Sequence, residues 1–488
     1  MTAPDRTPVL VGIGVASRRE DDFRRALEPM DLMLEAVHAA GADTGVPAVL
    51  AGVQHIAVPR GRWSYANPAG EIRRALGATD AVTVLATVGV LQQTLLGDAC
   101  ERIARGESHT TLVTGADAGY RILRAQIAGE RASEREQTDT PDVLLKPKDE
   151  LRHPVEVRAG FKMPVGLYAI MESAFRAHHG WTVDEHRDRL AQLGERASRI
   201  AAGNPHAWSR RPLAAEAIRE AGERNPMQAF PYTRAHCSTW NVDQAAALLF
   251  CSESRARALG IDPARWIYPL ASTESNHMVP VSAREVLHAC VGARVAGRAA
   301  LEATGLALGD IDLVDLYSCF PIAVETYAEA IGLPLDRALT VTGGMPFAGG
   351  PYNNYHLQSV CRAAELLRAG EGRTALVSGV SGTLTKQGFG IWSTRPAREG
   401  FVRLDLTHQV AQEVRTREVR ETWQGPAKVA GFTVLHGRDQ APRGVALVDT
   451  PDGRRAMAIS EAPALISRMQ AEEFVGRTVN IDDFTLSA

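Results

Sequence analysis

Three residues that can do chemistry stand side by side in the stretch D-L-Y-S-C-F-P-I-A-V-E: Tyr317, Ser318 and Cys319. A tyrosine with its ordinary pKa of about 10 donates a hydrogen bond to a developing oxyanion, and a cysteine becomes a nucleophile once a neighbouring base takes its proton. A second stretch, G-G-M-P-F-A-G-G-P-Y-N-N-Y-H, offers Tyr355 and His356 as that base. The competing interpretation of Y-S-C-F is structural, with the tyrosine hydroxyl bonded to backbone and the cysteine packed as a small apolar side chain.

Further residues in these and neighbouring stretches are candidates for binding a substrate. Gly349 and Gly350 lie in a turn rich in glycine and proline, where backbone can approach a ligand closely. Asn353 stands where a helix is expected to begin, and the N–H groups of a helix N-terminus bind a thioester oxygen or a phosphate. His277, in S-N-H-M-V-P, is another candidate base for the thiol. Lys386, in L-T-K-Q-G-F-G, is expected to be solvated or to contact a phosphate.

A larger scaffold must position these groups, and the chain repeats one unit of it. The segment E-R-I-A-R-G-E-S-H-T-T-L-V-T-G-A from Glu101 matches E-L-L-R-A-G-E-G-R-T-A-L-V-S-G-V from Glu365 without a gap. Each copy predicts a helix that ends at a glycine suited to a left-handed cap and then feeds a buried strand. The repeat therefore predicts two related α/β halves.

Other segments predict how those halves are divided. Buried strands are predicted near Val49, Val82 and Leu313, in alternation with helical stretches. Near the end of the chain, short alternating runs broken by G-R-D-Q and P-D-G predict hairpins and a separate small β-rich domain. The expected division is, in chain order, 1–270 with a polar helical insertion at about 120–235, then 271–412, then 413–488.

Composition and charge exclude several classes of partner. The 488 residues are 45% apolar and 23% charged, which is typical of globular domains, and the net charge of -3 includes no dense basic block for nucleic acid. No apolar run is long enough to span a bilayer and the first residues do not resemble a signal peptide, so we expect a cytoplasmic protein without a membrane span. The six cysteines are scattered, with no spacing that predicts a metal site.

Taken together, the motifs resemble those of the thiolase superfamily. They are the repeat, T-W-N-V-D-Q-A-A-A-L, D-L-Y-S-C-F-P, the glycine-rich loop and L-T-K-Q-G-F-G-I. The chain is similar to the degenerate thiolase-like branch (type 1) with an additional C-terminal domain, and is related to lipid-transfer-protein-linked thiolases and acetyl-CoA acetyltransferases. The resemblance implies a duplicated five-layered α/β/α/β/α fold, an active site where the halves meet, a coenzyme A thioester as substrate and no bound cofactor.

The usual catalytic residues of that superfamily are replaced in this chain. A working thiolase uses one cysteine as acyl acceptor, a second as acid/base, a histidine in G-H-P and a loop that binds the thioester oxygen. Counting from the repeat, the first cysteine falls on Gly89 and the second on Gly379. The histidine falls on Gly349 or Gly350, and the loop falls on Y-S-C-F. The usual covalent acyl-enzyme is therefore not expected.

Two functions follow from this departure. The first is an enzyme on acyl-CoA or a related thioester, acting by acyl transfer or by Claisen- or aldol-type C–C bond chemistry. In it Tyr317 would bind or protonate the oxyanion, Tyr355 or His356 would be the base, and Cys319 is a candidate relocated nucleophile. The second is a non-catalytic module that binds acyl-CoA or lipid. The resemblance implies a homodimer, whereas an additional domain over that surface would leave a monomer.

Overall fold

The computed structural model describes residues 6–147, 152–437 and 440–487. The strands are, in chain order, β1 (Pro8–Ser17), β2 (His55–Pro59), β3 (Val82–Ala86), β4 (Thr110–Ala118), β5 (Val143–Leu145), β6 (Met227–Ala229), β7 (Tyr232–Thr233), β8 (Asp243–Ser252), β9 (Tyr268–Ser275), β10 (Leu313–Asp315), β11 (Thr374–Ser381), β12 (Lys386–Ser393), β13 (Val402–Asp405), β14 (Trp423–Leu435), β15 (Arg443–Asp449), β16 (Arg455–Ser460), β17 (Thr478–Asp483) and β18 (Thr485–Ser487).

The helices cover the faces of the sheets and make up most of the insertion. They are α1 (Pro29–Asp43), α2 (Pro68–Leu76), α3 (Gln92–Arg105), α4 (Gly119–Ile127), α5 (Pro154–Arg158), α6 (Val165–His179), α7 (Val183–Gly203), α8 (Ala215–Arg219), α9 (Glu253–Ala258), α10 (Val291–Thr304), α11 (Pro321–Ile331), α12 (Tyr355–Arg368), α13 (Thr407–Glu413) and α14 (Pro463–Ala471). Among the described residues, no helix combines the length and apolar character needed to cross a membrane.

Two mixed sheets form the centre of the molecule. The first has the strand order β1-β8-β4-β2-β3-β5, and the second has the order β10-β11-β12-β9-β13. Helices α3 and α12 pack against both sheets and lie between them, while α1 covers the first sheet and α10 covers the second. Apolar residues of the inner helices and the facing strands form one continuous core between the sheets. The predicted five-layered α/β/α/β/α fold is confirmed.

The internal repeat places the same unit in each half. Helix α3 ends at Gly106, whose φ of +76° is left-handed, and β4 follows. Helix α12 ends before Gly370, whose φ of +80° is again left-handed, and β11 follows. Glycine suits both positions because a side chain would be strained at such a φ. The predicted helix, cap and buried strand are confirmed in both copies.

The C-terminal β-rich part is a closed ring of strands. Strand β14 pairs with both β15 and β17, and pairings of β15 with β16, β16 with β18 and β18 with β17 complete the ring. The predicted small C-terminal β-rich domain is confirmed, and its strand β14 also pairs with β6 of the insertion through Leu435 and Ala229. Helix α6 of the insertion packs against β14 as well. Hairpin patterns predict neighbours in sequence, whereas this pairing joins strands far apart in the chain.

Two local predictions differ from the structure, and two agree. The predicted strand near Val49 is wrong, because Pro47–Gly52 form a 3-10 helix. Pro47 lacks the N–H that a strand needs and holds φ near helical values. The strands predicted near Val82 and Leu313 are present as β3 and β10. The expected boundary at residue 270 falls inside β9, which pairs wholly within the second sheet. The predicted G-R-D-Q turn includes Arg438 and Asp439, which lie outside the described residues.

Candidate functional site

The Tyr317–Phe320 loop joins β10 to α11 and is fixed by Asp315 at the end of the strand. The buried Asp315 carboxylate accepts hydrogen bonds from the backbone N–H groups of Val341 and Thr342 and from a set of hydroxyls. The hydroxyl donors are Thr340, Thr342, Tyr355 and Ser359. Burial raises the pKa of Asp315 while these bonds lower it, and a shell made only of donors suits the ionised carboxylate.

Tyr317 and Cys319 are both buried, at 8% and 9% exposure. Burial raises the pKa of the Tyr317 hydroxyl far above its usual value. Burial also raises the pKa of the Cys319 thiol to about 12, although a hydrogen bond from Tyr168 on α6 lowers it. Both groups are therefore protonated at neutral pH, so Tyr317 can donate a hydrogen bond but is no base, and Cys319 is not a thiolate.

Backbone contacts tie this loop to the other predicted positions. The Tyr317 N–H donates to Ser378 Oγ at 2.9 Å, next to Gly379. The Cys319 carbonyl accepts from the Ser238 N–H at 3.1 Å. The structure thus brings the Y-S-C-F loop and the predicted Gly379 together, as the resemblance implies. Ser318 lies in the same loop and accepts from the Met345 N–H at 2.9 Å, so its hydroxyl holds the glycine-rich loop.

His356 lies in the first turn of α12 and is fully buried between the two halves. Its Nδ1 is 3.1 Å from the Ser378 carbonyl oxygen, and its Nε2 is 2.7 Å from Oε1 of Gln93 in α3. Burial lowers the pKa of His356 to about 4, so the ring is neutral at pH 7 and donates from one nitrogen only. Nδ1 of His356 donates to the Ser378 carbonyl, so Nε2 is an acceptor. When the Gln93 amide is rotated by 180°, the Gln93 NH₂ group donates to Nε2 and the Gln93 oxygen accepts from the Ser272 hydroxyl.

The N-termini of α3 and α12 meet at this point. In the register of the repeat, His356 corresponds to Gln92, and the Gln92 amide donates to the Asn353 side-chain oxygen across the junction. Asn354 occupies the N-cap position of α12, but its side chain makes no capping bond. Asn353 was the residue predicted to bind a substrate here, and its side-chain oxygen is already used by Gln92.

Gly89 lies just before α3, where the resemblance places the acyl-accepting cysteine. Its φ is +100°, a conformation that an L residue rarely adopts, and an added Cβ would lie 3.1 Å from Pro147. Its carbonyl accepts a hydrogen bond from Lys386 Nζ at 2.7 Å. Lys386 is only 3% exposed, so the expectation that it is solvated is wrong. The long side chain reaches inward from the start of β12, which sequence spacing does not show.

Gly349 and Gly350 have no room for a larger residue. A Cβ at Gly349 would stand 2.3 Å from Gln244 Oε1, and φ there is +102°. A Cβ at Gly350 would stand 2.1 Å from Ser238 Oγ. The resemblance assigns the G-H-P histidine to Gly349 or Gly350, and the Ser238 side chain lies directly against the second of these glycines.

Substituting two of these glycines tests how closely they are packed. At Gly379 the nearest atom to an added Cβ is His356 Nδ1 at 3.5 Å, an ordinary contact. We expect Gly379→Ala to change the free energy of unfolding by less than about 1 kcal/mol and Gly350→Ala to lower it by about 2 kcal/mol. Urea titrations of the two variants measure the difference. Equal stability of Gly350→Ala and wild type would contradict the account.

Two further predicted site residues, Tyr355 and His277, have polar groups that are used or placed elsewhere. The Tyr355 hydroxyl is bonded within the Asp315 network and its side chain is 1% exposed, which favours a structural role over the predicted role as base. The Tyr355 ring contacts the Tyr317 ring edge-on at 5.6 Å. His277 lines a different space, a cavity of about 450 Å³ beside the β11–β12 turn, together with Arg284, Cys290 and other residues.

Sequence reasoning missed three residues of the site. Gln93 bonds His356, Ser238 lies against Gly350, and Tyr168 reaches Cys319 from the insertion. The adjacent glutamines at the start of α3, three and four residues after the position of the replaced cysteine, were a usable signal. No comparable sequence signal marks Ser238 or Tyr168, because their loop and helix are placed only by tertiary contacts.

Comparison with known proteins agrees with this architecture. Residues 405–483 match the family model described as thiolase-like protein type 1 additional C-terminal domain. A crystal structure of a monomeric SCP2-thiolase like protein type 1 from Mycobacterium smegmatis superposes with a TM-score of 0.82 at 26% identity, covering 100% of this chain and 99% of that one. The chain therefore has a thiolase-like fold and carries the additional C-terminal domain of type 1 thiolase-like proteins.

Curated relatives of the thiolase-like protein match a shorter region. A benzoylsuccinyl-CoA thiolase subunit from Thauera aromatica is 27% identical over 34% of this chain. An acetyl-CoA acetyltransferase from Methanothermobacter thermautotrophicus is 28% identical over 36% of this chain. The thiolase-like protein spans only 40% and 43% of the lengths of these two relatives.

Proposed function

We propose that this thiolase-like protein binds an acyl-CoA thioester at the junction of its halves and forms no covalent acyl-enzyme. The observation that carries the proposal is the state of the vacated catalytic positions. The positions of both cysteines and of the histidine are glycines, and at Gly350 a neighbouring side chain fills the space. Covalent thiolase chemistry needs a thiolate with a base beside it, and this arrangement provides neither.

The ligand class is supported by the relatives and by the available space. Both curated relatives carry a coenzyme A thioester in their names. The cavity of about 450 Å³ beside the β11–β12 turn lies within the size range of small-molecule sites, and Arg284 and the exposed Arg415 are among the residues that line it. Arginine suits the phosphates of coenzyme A because its fork of N–H groups pairs with phosphate oxygens.

The turn beside this cavity is held in an unusual conformation. Thr383 and Leu384 have φ values of +58° and +61°, which non-glycine residues seldom adopt. Arg284 donates to the Thr383 carbonyl at 2.5 Å and fixes the turn. The same turn leads into β12 and Lys386, whose ammonium group contacts Gly89. Strain of this kind persists where the surroundings hold a site in one shape, and it supports a ligand at this edge.

Neutral donors suit the binding of a thioester carbonyl. The protonated Tyr317 hydroxyl can donate to the carbonyl oxygen, and the Cys319 thiol beside it stays unreactive because its pKa is raised to about 12. A second function uses the same donor: Tyr317 would stabilise an enolate during aldol-type C–C bond cleavage. That reaction needs a separate base, and both nitrogens of the nearest candidate, His356, already have partners.

Calorimetric titration with acetyl-CoA and with free coenzyme A tests the proposal. We expect wild type to bind both ligands, and Tyr317→Phe to bind acetyl-CoA about fivefold more weakly with no change for coenzyme A, since one neutral hydrogen bond contributes about 1 kcal/mol. Tyr352→Phe is a matched control, because that tyrosine is 36% exposed. Absence of binding would refute the proposal, and turnover that is lost in Tyr317→Phe would favour the C–C cleavage function.

A further inference from the structure

A second cluster of chemically competent side chains lies outside the junction site, where the insertion packs against α11. Glu172 comes from α6, His186 from α7 and Glu325 from α11. All three are buried, at 0%, 0% and 2% exposure, and one potential ligand atom from each lies within 4.8 Å of the others. Three helices thus present two carboxylates and an imidazole to one point.

The contact between the imidazole and the carboxylate has the distance but not the geometry of a hydrogen bond. His186 Nε2 stands 2.9 Å from Glu172 Oε1 and 3.9 Å from Glu325 Oε1. Glu172 Oε1, His186 Nε2 and Glu325 Oε2 contact one another, but within the described residues none of them makes a hydrogen bond of good geometry. Ligand atoms that bind the same metal ion are separated by similar distances, because each forms a bond of about 2.0–2.2 Å to the ion and none to its neighbour.

The surroundings orient these groups as ligands are usually oriented. The Tyr232 hydroxyl donates to the other oxygen of Glu172, which leaves Oε1 directed at His186. The Trp181 ring stacks on the His186 ring at 5.6 Å. Hydrogen bonds and packing around metal ligands commonly fix their orientation in this way.

In a further imidazole beside the cluster, one of the two ring nitrogens lacks a partner. His236 is 4% exposed, its Nδ1 lies 2.9 Å from the Thr233 hydroxyl, and its Nε2 has no hydrogen-bond partner among the described residues. Its ring is 6.2 Å from the Tyr232 ring. A buried imidazole nitrogen without a partner is costly unless something absent from the protein atoms satisfies it.

Charge supports a cation at the same point. Two buried carboxylates side by side are unfavourable unless a positive charge or a shared proton compensates them. Among basic side chains nearby, Arg187 is engaged by Glu220 and by the Arg219 carbonyl. Arg189 lies over the Trp181 ring instead of bridging the carboxylates.

We propose that Glu172, His186 and Glu325 bind one divalent transition-metal ion, with Zn²⁺ the best match to one imidazole and two carboxylates. The ion would fasten α6 and α7 of the insertion to α11, the helix that begins directly after the Tyr317–Phe320 loop. Its role is structural, because the ligands are fully buried and face no substrate cavity. Cysteine and histidine spacing predicted no metal site, since these ligands come from segments far apart in the chain.

Metal analysis of the untagged protein tests the proposal, followed by calorimetric titration of the chelator-treated protein with Zn²⁺ alone. We expect about one zinc per chain and a lower melting temperature after chelation. His186→Gln and Glu325→Gln should each bind at least about tenfold more weakly. Glu329→Gln, an exposed position one turn further along α11, is the matched control and should bind as wild type does.

Three outcomes would overturn the proposal. The first is no zinc in the purified protein and no binding on titration. The second is wild-type affinity in Glu325→Gln. The third is binding that is lost in His178→Gln but kept in Glu325→Gln, which would assign the ion to the stacked surface pair His178 and His288. The titration of wild type remains decisive even if a variant does not fold.

Discussion

Replacing Asp315 by alanine is expected to lower the free energy of unfolding by about 4 kcal/mol. The carboxylate is fully enclosed and accepts from two backbone N–H groups and four hydroxyls, so its removal leaves several buried donors without partners. It also joins three segments. Asp315 ends β10, binds the 340–342 loop, and accepts hydrogen bonds from hydroxyls of α12. Urea titration at pH 7 measures the change.

The same variant should also disturb the candidate site. Asp315 lies two residues before Tyr317, so loss of its bonds releases the strand end that places Tyr317. Asp315→Asn should cost about half as much, because the amide keeps one acceptor oxygen. Asp336→Ala removes an exposed carboxylate of the same type and serves as control. A loss below about 1 kcal/mol in Asp315→Ala would contradict the assigned role.

The second large effect is a dependence of stability on pH that comes from His356. Burial lowers the pKa of this imidazole to about 4 in the folded protein, while an unfolded histidine titrates near 6.5. Between these values the unfolded state binds a proton that the folded state does not, so stability falls as the pH is lowered. The contribution of His356 should decrease by about 2 kcal/mol between pH 7 and pH 5.

Comparison of variants isolates that contribution from the other titrating groups. Unfolding of wild type and His356→Gln is followed at several pH values, and the difference between the two curves should shrink toward pH 5. Gln93→Leu is the matched control, because it removes a partner of the ring but keeps the imidazole, so it should lower stability and keep the pH dependence. If the difference in free energy of unfolding between wild type and His356→Gln instead grows toward pH 5, the folded protein holds His356 as an imidazolium between two acceptors, which would contradict a lowered pKa.

The fold was predictable because the repeat is local. A helix, a glycine with left-handed φ and a strand are written in consecutive residues from Glu101 and again from Glu365, and the structure follows both copies. The run near Val49 misled because four apolar residues in a row fit a strand or a buried turn equally, and the preceding proline decided the outcome. The pairing of β14 with β6 depends on a tertiary contact that no local pattern contains.

Sequence could predict which positions form the candidate site, but not how they are packed or which groups are protonated. Counting from the repeat assigned the second cysteine's position to Gly379, and the structure brings the neighbouring Ser378 against the Tyr317 N–H. Sequence could not show that Ser238 lies against Gly350, because this depends on where a distant loop comes to lie. Nor could it show that burial keeps Tyr317 and Cys319 protonated, since a pKa depends on the surroundings and not on the residue type alone.

Intact-mass spectrometry of the protein after incubation with acetyl-CoA is the most direct test of the central claim, which is thioester binding without a covalent intermediate. The incubation is run at a concentration that saturates the calorimetric titration, and the supernatant is assayed for free coenzyme A. The account predicts an unchanged protein mass and no coenzyme A released above the rate without protein. A mass increase of one acetyl group that disappears in Cys319→Ala would contradict it and would make Cys319 the nucleophile.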